Sequence, residues 1–273
     1  MPQITNYLTI DVEDYFQVSA FEKVSRIDNW DSYKPRVVQN TGKLLDLLDR
    51  REISATFFIV GWIAERHRDL IEKIDARGHQ IGCHSHLHRR VYDLSPDQFR
   101  QDTRKAKETI EDIIGKPVLI YRAPSYSITQ KSLWALEILA ELGFKYDSSI
   151  FPIHHDIYGI PNAPRFQYTV AGLDLIEFPI TTCRIFGHNI PVAGGGYFRL
   201  FPYWLTRMLL RHINKKEYQP FIFYLHPWEI DPDQPRFEAI GWKSKFRHYN
   251  NLHKTADRFN RLLQDFSFGP ITR

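Results

Sequence analysis

The feature that most constrains the fold is a set of short apolar runs, each ending at a cluster of ionisable residues. The clearest run is 55–60 (ATFFIV), which is almost continuously apolar. Such a run is typical of a strand in a parallel sheet that is covered on both faces. Amphipathic patterns predict helices between the runs, near 42–51, 63–76, 96–114, 132–142, 203–213 and 251–266. This alternation predicts an α/β fold with a parallel sheet, most simply curled into a β/α barrel.

Ionisable side chains follow the ends of the predicted strands. These residues are Asp11, His84, Arg122, Asp147 and His226. In a β/α barrel the carboxyl ends of the strands share one face, and active sites form there. His88 lies four residues after His84, a spacing that lets two neutral imidazoles bind one divalent cation. The sequence therefore predicts one metal-containing site assembled from several strand ends.

The length of the chain favours a single domain. With 273 residues, 43% of them hydrophobic, the chain can bury the core of one large α/β domain. We interpret residues 1–273 as that domain. Within it, 151–201 is predicted to be an insertion or lid, because short strands and turns there interrupt the β/α rhythm. Residues 231–273 are interpreted as a C-terminal extension.

Charge, cysteine content and hydropathy limit the partners. The formal net charge of +4 is modest and the basic residues are interspersed with acids, so no nucleic acid partner is indicated. Cys83 and Cys183 are too few for a disulfide framework, and Cys83 is expected to face the core. No stretch approaches the roughly 18 apolar residues of a membrane span, and no signal peptide is evident. We expect a cytoplasmic protein without a transmembrane segment.

Four segments carry a resemblance to a known family. They are 9–14 (TIDVED), 82–88 (GCHSHLH), 121–126 (YRAPSY) and 224–229 (YLHPWE). In this order they resemble the motifs of the polysaccharide deacetylases of carbohydrate esterase family 4, the NodB-homology domain. Further similarity at 146–152, 194–202 and 246–249 resembles the subgroup associated with exosortase-linked exopolysaccharide loci. The resemblance implies a distorted (β/α)7 barrel.

The resemblance also implies roles for individual residues. Asp11 matches the general base, Arg122 the arginine that orients it, and His226 the general acid. Asp147 resembles the acid of the fourth motif. The remaining assignments are the metal-binding histidines His84 and His88, the groove wall at Pro124 and Tyr126, and sugar-stacking candidates at Tyr197 and Trp228.

The identity of the carboxylate ligand stays open at this level. The family's adjacent pair of carboxylates is replaced here by Asp11-Val12-Glu13-Asp14. Asp14 has the shorter side chain that the family uses, whereas Glu13 shares the strand parity of Asp11 and has a longer reach. We prefer Asp14. Glu229 is either a surface acid or a partner of His226, and His248 is interpreted as a surface residue.

This arrangement predicts hydrolysis of an amide. A divalent metal, with zinc favoured, polarises a carbonyl and can bring a bound water to a pKa of about 7. A carboxylate then removes a proton from water, and an imidazolium protonates the leaving amine. The implied function is deacetylation of N-acetylhexosamine units in a bacterial exopolysaccharide or its precursor, with peripheral association with the synthesis machinery. The alternatives are an allantoinase-like hydrolase of cyclic amides and a non-catalytic carbohydrate-binding barrel.

Overall fold

The computed structural model describes residues 4–271, so the outermost residues of the predicted domain, 1–3 and 272–273, lie outside it. The strands are β1 (Thr5–Val12), β2 (Thr56–Ile59), β3 (Gln80–Cys83), β4 (Ile120–Tyr121), β5 (Tyr146–Asp147), β6 (Tyr168–Thr169), β7 (Ile176–Glu177), β8 (Thr182–Ile185), β9 (His188–Pro191), β10 (Ile222–Leu225) and β11 (Ser267–Gly269). The α-helices are α1 (Val37–Asp49), α2 (Gly61–Arg66), α3 (Arg68–Ala76), α4 (Pro96–Ile114), α5 (Trp134–Glu141), α6 (Gly195–Leu200), α7 (Tyr203–His212), α8 (Trp242–Tyr249) and α9 (Leu252–Asp265).

One curled, mainly parallel sheet organises the molecule. Its strand order is β10-β1-β2-β3-β4-β5-β7-β6, with β11 beside β1. Neighbouring strands from β10 to β7 are parallel, and β6 is an antiparallel edge. The sheet is an open half-barrel, since its hydrogen-bonded path ends at β10 and β6. A side-chain contact bridges the two sides, because Oγ1 of Thr181 accepts a 2.7 Å hydrogen bond from the Ile222 amide. The predicted α/β fold with a distorted barrel is confirmed.

Local sequence signals explain most element boundaries. All four residues of β2 are buried, as expected for a strand covered on both faces. Helix α4 begins with a capping box between Ser95 and Gln98 and ends at Gly115 in the left-handed region. The single helix expected over 63–76 is wrong. It is divided at His67, whose non-helical backbone separates α2 from α3.

The segment 151–201 contributes β6 and β7 to the main sheet. It also contains the hairpin β8–β9 and a glycine-rich turn packed on β10. A Cβ atom on Gly194 would lie 2.2 Å from the carbonyl oxygen of Tyr224, and one on Gly195 would lie 2.6 Å from its hydroxyl. Both glycines also have positive φ, so larger residues would push α6 away from β10. The division into one domain with an insertion and an extension stays a prediction.

None of the helices in residues 4–271 combines the length and apolar character needed to cross a bilayer. Cys83 and Cys183 are both buried and unpaired.

The register of the strands decides which side chains reach the cleft. Cys83 is in register with Tyr121, and Tyr121 with Asp147. Successive side chains of a strand alternate between its faces. The residues that follow these three, namely His84, Arg122 and Ser148, therefore share the other face, where they contact one another.

Asp147 consequently lies away from the predicted site. It is fully buried, accepts a hydrogen bond from Ser149, and is in register with Glu177 of β7. Burial raises the pKa of Asp147 to about 6, and burial together with the charge of Asp147 raises the pKa of Glu177 well above its usual range, so the pair retains a proton near neutral pH. The assignment of Asp147 to the catalytic group is therefore corrected: it belongs to the packing between β5 and β7.

This carboxyl pair predicts a pH-dependent stability. The folded state holds the protons of this pair more tightly than the unfolded state. The free energy of unfolding should therefore fall as pH rises from about 4 through 6, where Asp147 ionises, and on to the higher pKa of Glu177. In Glu177→Gln, the side-chain amide can donate a hydrogen bond to Asp147 without taking up a proton from solution. Relative to the wild type, this variant should gain about 1 kcal/mol or more between pH 5 and pH 8, measured by urea unfolding. Asp174→Asn, at an exposed carboxylate, is the control; a constant difference between Glu177→Gln and wild type would contradict the retained proton.

Candidate active site

A cavity of about 530 Å³ opens at the carboxyl ends of the sheet strands, within the size range of small-molecule sites. The predicted residues that line it are Asp11, Glu13, His84, His88, Tyr126, Tyr197, His226 and Trp228. Residues 151–201 supply one wall and α8 another, through side chains such as Tyr158 and Phe246. The cavity thus combines chemistry-bearing side chains on its floor with aromatic walls.

Glu13, His84 and His88 form a buried group of metal-binding type. One donor atom from each lies within 4.8 Å of the others. Nε2 of His88 is 2.6 Å from Oε2 of Glu13. Nδ1 of His84 donates a hydrogen bond to the carbonyl oxygen of Arg122 at 2.7 Å. Nε2 of His84 is therefore the nitrogen that remains free to bind a metal. The positive φ of His88, +50°, is uncommon for a non-glycine residue and marks local strain at the site.

These residues fit a divalent cation. Two imidazoles and one carboxylate are a donor set that zinc accepts, and they leave further coordination positions open. Burial lowers the pKa of His84 to about 4, so its imidazole is neutral and can act as a ligand. Burial alone would raise the pKa of Glu13, but the charges of His88 and His226 outweigh burial and lower it. The indole N–H of Trp228 donates to Oε1 of Glu13 at 2.9 Å and so orients the carboxylate.

A second group of potential ligands, Cys183, His212 and Glu217, is less suitable. Arg165 already occupies both carboxylate oxygens of Glu217, and His212 is exposed. A cation there would have to compete with a guanidinium.

The preference for Asp14 as the carboxylate ligand is corrected by its contacts. Its Oδ2 accepts from the backbone amides of Arg36 and Val37 at 2.7 and 2.9 Å, at the start of α1. Its Oδ1 accepts from the Tyr15 amide at 2.8 Å. A carboxylate at a helix N-terminus is stabilised there, and this one faces away from the histidines. Glu13 takes the position near the histidines because it shares the strand parity of Asp11.

Asp11 and Arg122 form a buried ion pair beside the histidines. Nη1 of Arg122 donates to Oδ1 of Asp11 and to Oγ1 of Thr9, both at 2.7 Å. Its other N–H groups bond the carbonyl and hydroxyl oxygens of Ser148, and its guanidinium lies 4.2 Å from the ring centroid of Phe58. Arg122 is fully buried and does not line the cavity, so it holds Asp11 in place from below.

His226 faces Asp11 and Glu13 across the cavity floor. Its Nε2 is 3.8 Å from Oδ2 of Asp11 and 3.5 Å from Oε1 of Glu13. Burial alone would lower the pKa of His226, but the carboxylates of Glu13 and Glu229 outweigh burial and raise it to about 9. The ring is therefore a proton donor at neutral pH in the absence of a neighbouring cation.

The predicted sugar-contacting residues behave differently from one another. Tyr126 lines the cavity with a buried hydroxyl that has no hydrogen-bond partner within residues 4–271, and Tyr197 is half-buried on the opposite segment. Pro124 does not line the cavity; it begins the turn that presents Tyr126 at a φ of +52°. Trp228 is only 5% exposed and stacks on His226 and His248, so it supports the site more than it offers a face to a sugar.

The sequence analysis missed, left open or misplaced several residues around the site. Ser148 binds Arg122, and its position could have been inferred from strand register alone. Glu229 is a buried partner of His226, which settles the choice left open above. Arg199 pairs with Glu229, a contact that no local pattern indicated. His248 was expected at the surface; instead it is buried against Trp228, with Nε2 2.7 Å from Oε1 of Gln234.

Comparison with known proteins divides the chain into two parts. Residues 28–146 match the family described as Polysaccharide deacetylase, and residues 148–273 match a family described as Domain of unknown function (DUF3473). A peptidoglycan-N-acetylglucosamine deacetylase of Bacillus cereus is 32% identical over 98 residues, which are 36% of this chain and 36% of that protein. The chain spans only 36–39% of the length of the first such relatives.

Solved structures support the fold. A putative polysaccharide deacetylase from Mycobacterium smegmatis has a TM-score of 0.57 at 19% identity, covering 100% of this chain and 99% of that one. Puue allantoinase has a TM-score of 0.58 at 13% identity, covering 94% of this chain and 82% of that one. At these identities the likeness shows the fold alone. Residues 28–146 thus match the polysaccharide deacetylase family, and residues 148–273 match DUF3473.

Proposed function

We propose that this protein is a metal-dependent hydrolase that removes N-acetyl groups from N-acetylhexosamine units of a bacterial exopolysaccharide or its precursor. The observation that carries the proposal is the convergence of three devices on one cavity. These are the Glu13–His84–His88 group, the Asp11–Arg122 pair and the His226 imidazole. A protein that only bound carbohydrate would need no paired acid and base.

The relatives point to the same class of bond. The Bacillus cereus relative is named for deacetylation of N-acetylglucosamine in peptidoglycan. The resemblance of 146–152, 194–202 and 246–249 to the exosortase-associated subgroup supports an exopolysaccharide rather than peptidoglycan. On this basis we place the enzyme in the cytoplasm, in peripheral contact with exopolysaccharide synthesis, without a nucleic acid partner.

We assign the proton transfers from the positions of three side chains around the cavity. A divalent cation, for which zinc is our choice, would polarise the acetyl carbonyl and acidify water when held by Glu13, His84 and His88. Oδ1 of Asp11 is held by Arg122, so Oδ2 is the atom placed to accept the proton of the attacking water. Nε2 of His226, 3.8 Å from that oxygen, gives its proton to the departing amine nitrogen. Acetate and a free amino sugar result.

The first prediction from the proposed function concerns the metal. Glu13→Gln should weaken zinc affinity by more than about 100-fold, because it removes a ligand rather than an outer contact. Asp14→Asn should keep stoichiometric metal but lose about 1–3 kcal/mol of stability, because its amide nitrogen would face backbone N–H donors. Zinc titration and urea unfolding check both. Loss of metal from Asp14→Asn, with retention by Glu13→Gln, would restore Asp14 as the ligand.

The second prediction concerns the base. Asp11→Asn should retain metal while kcat for acetate release falls about 10²–10⁴-fold, the usual contribution of a general base. Asp231→Asn is a matched control, since Asp231 is also a buried partner of an arginine, Arg36, but lies outside the cavity. Near wild-type turnover by Asp11→Asn would place the base elsewhere.

The third prediction concerns the substrate. Oligomers of N-acetylhexosamine should be deacetylated faster than the monosaccharide, because each added contact worth about 1.4 kcal/mol in the transition state raises kcat/KM about tenfold. Tyr197→Ala should reduce this preference, whereas Phe186→Ala, at a 98% exposed side chain outside the cavity, should not. Acetate release is measured with and without chelator. Ring opening of allantoin without acetate release from any oligomer would establish the cyclic-amide alternative.

A further inference from the structure

We infer that Glu229, locked in place by Arg199, positions the imidazole of His226, and that supplying this tether is a function of the DUF3473 domain. The inference rests on the proposed function, in which His226 is the general acid. All three residues lie within 148–273, the part of the chain whose family has no assigned function.

Glu229 contacts His226 twice. Its Oε1 is 2.7 Å from Nδ1 of the ring and accepts from the backbone amide of the same residue at 3.1 Å. An ionised carboxylate can only accept, so Nδ1 carries a hydrogen and Nε2 is the nitrogen directed at the cavity. The two bonds fix both the rotation of the ring and the hydrogen on its far side.

Glu229 is itself held by a buried charge. Its Oε2 accepts from Nε of Arg199 at 2.7 Å, and both residues are almost completely buried. The charge of Arg199 and the bond to His226 lower the pKa of Glu229, although burial alone would raise it. An unpaired carboxylate would be costly at this depth, so Glu229 depends on Arg199 to stay ionised.

Arg199 is anchored by the end of α8. Its Nη1 donates to the carbonyl oxygens of His248 and, at 3.2 Å, of Asn250, and its Nη2 donates to that of Arg247 at 2.9 Å. These carbonyls lie at or just after the C-terminus of a helix, where they lack helical partners. In return, the side chain of Asn251 donates to the carbonyl of Arg199 at 2.9 Å. The guanidinium of Arg199 therefore links α8, which forms a cavity wall, to the carboxylate of Glu229.

No other acid in residues 4–271 lies within ion-pair distance of Nδ1 of His226. Asp11 and Glu13 face the Nε2 side of the ring. Asp147, the remaining acid predicted for the site, pairs with Glu177 of β7, away from the cavity. When Nε2 gives its proton to the amine, the Nδ1 hydrogen stays on the ring and Glu229 stays ionised, so the tether needs no proton of its own.

The test compares two pairs of glutamate and arginine in the same domain. Glu229→Gln removes the charge beside Arg199, and Glu217→Gln removes the charge beside Arg165, a part-buried pair outside the cavity. For Glu229→Gln we expect kcat to fall about 10- to 100-fold, as for loss of an orienting partner, with KM and zinc content little changed. Glu217→Gln should match the wild type in kcat.

A spectroscopic signature separates positioning from a merely structural role. The Nδ1–H proton of His226, bonded to a carboxylate, should give a downfield imidazole resonance in the wild type that is absent from His226→Ala. It should move upfield or disappear in Glu229→Gln and persist in Glu217→Gln. This readout requires no turnover, so it remains informative if the wild-type protein releases no acetate and the proposed function fails.

Glu229→Asp covers the case in which Glu229→Gln does not fold. It keeps the charge beside Arg199 but withdraws the carboxylate by one methylene, so kcat and the resonance should both change while the fold is retained. An unchanged kcat together with an unchanged resonance, in either variant, would overturn the inference. Equal losses in Glu229→Gln and Glu217→Gln, with the resonance intact, would show a general effect on packing and would also overturn it.

Discussion

The buried guanidinium of Arg122 joins more of this site than any other group. It bonds the side chains of Asp11 and Thr9 on β1 and both oxygens of Ser148 after β5, while its own carbonyl accepts from His84 after β3. A buried charge is tolerated only when its donors are satisfied, and this one is satisfied by groups that the sheet has already aligned. Moving β1 by one residue would leave the charge unpaired, and moving β5 by one residue would leave N–H donors of the guanidinium unsatisfied. The ion pair therefore depends on strand register and, in turn, penalises the wrong register.

The same dependence on register separates true site residues from near misses. Asp11 and Glu13 differ by two positions and share a face; Asp14, one position further, turns to the start of α1. Asp147 and Ser148 are adjacent, yet one packs on Glu177 and the other holds Arg122. In each case the family resemblance identified the right segment, and the period of two along a strand decided which residue of it reached the cleft.

What the sequence predicted well was local. Apolar runs located the strands, a capping box and a glycine delimited α4, and strand ends collected His84, His88, Arg122 and His226 near one another. What it could not predict were contacts between distant segments without a motif. Arg199 meets Glu229 where two glycines let α6 lie against Tyr224. His248 is buried where the end of α8 packs on Trp228 and on that arginine. Periodicity contains no information about such partners, since they are set by how the elements pack.

The balance of charge around the cavity assigns each acid its place. Asp11 is paired with the guanidinium of Arg122, and Glu229 with that of Arg199. Within residues 4–271, no arginine or lysine pairs with Glu13; its oxygens contact imidazoles and the indole N–H of Trp228. Imidazoles give up their protons when they bind a metal, so Glu13 is the buried carboxylate whose charge a divalent ion would balance. Asp11, paired with Arg122, is thus available to accept a proton, and Glu229, paired with Arg199, orients His226. Glu13 is the carboxylate that remains to bind the metal. That division of labour joins the two family segments, because each supplies one of the arginines.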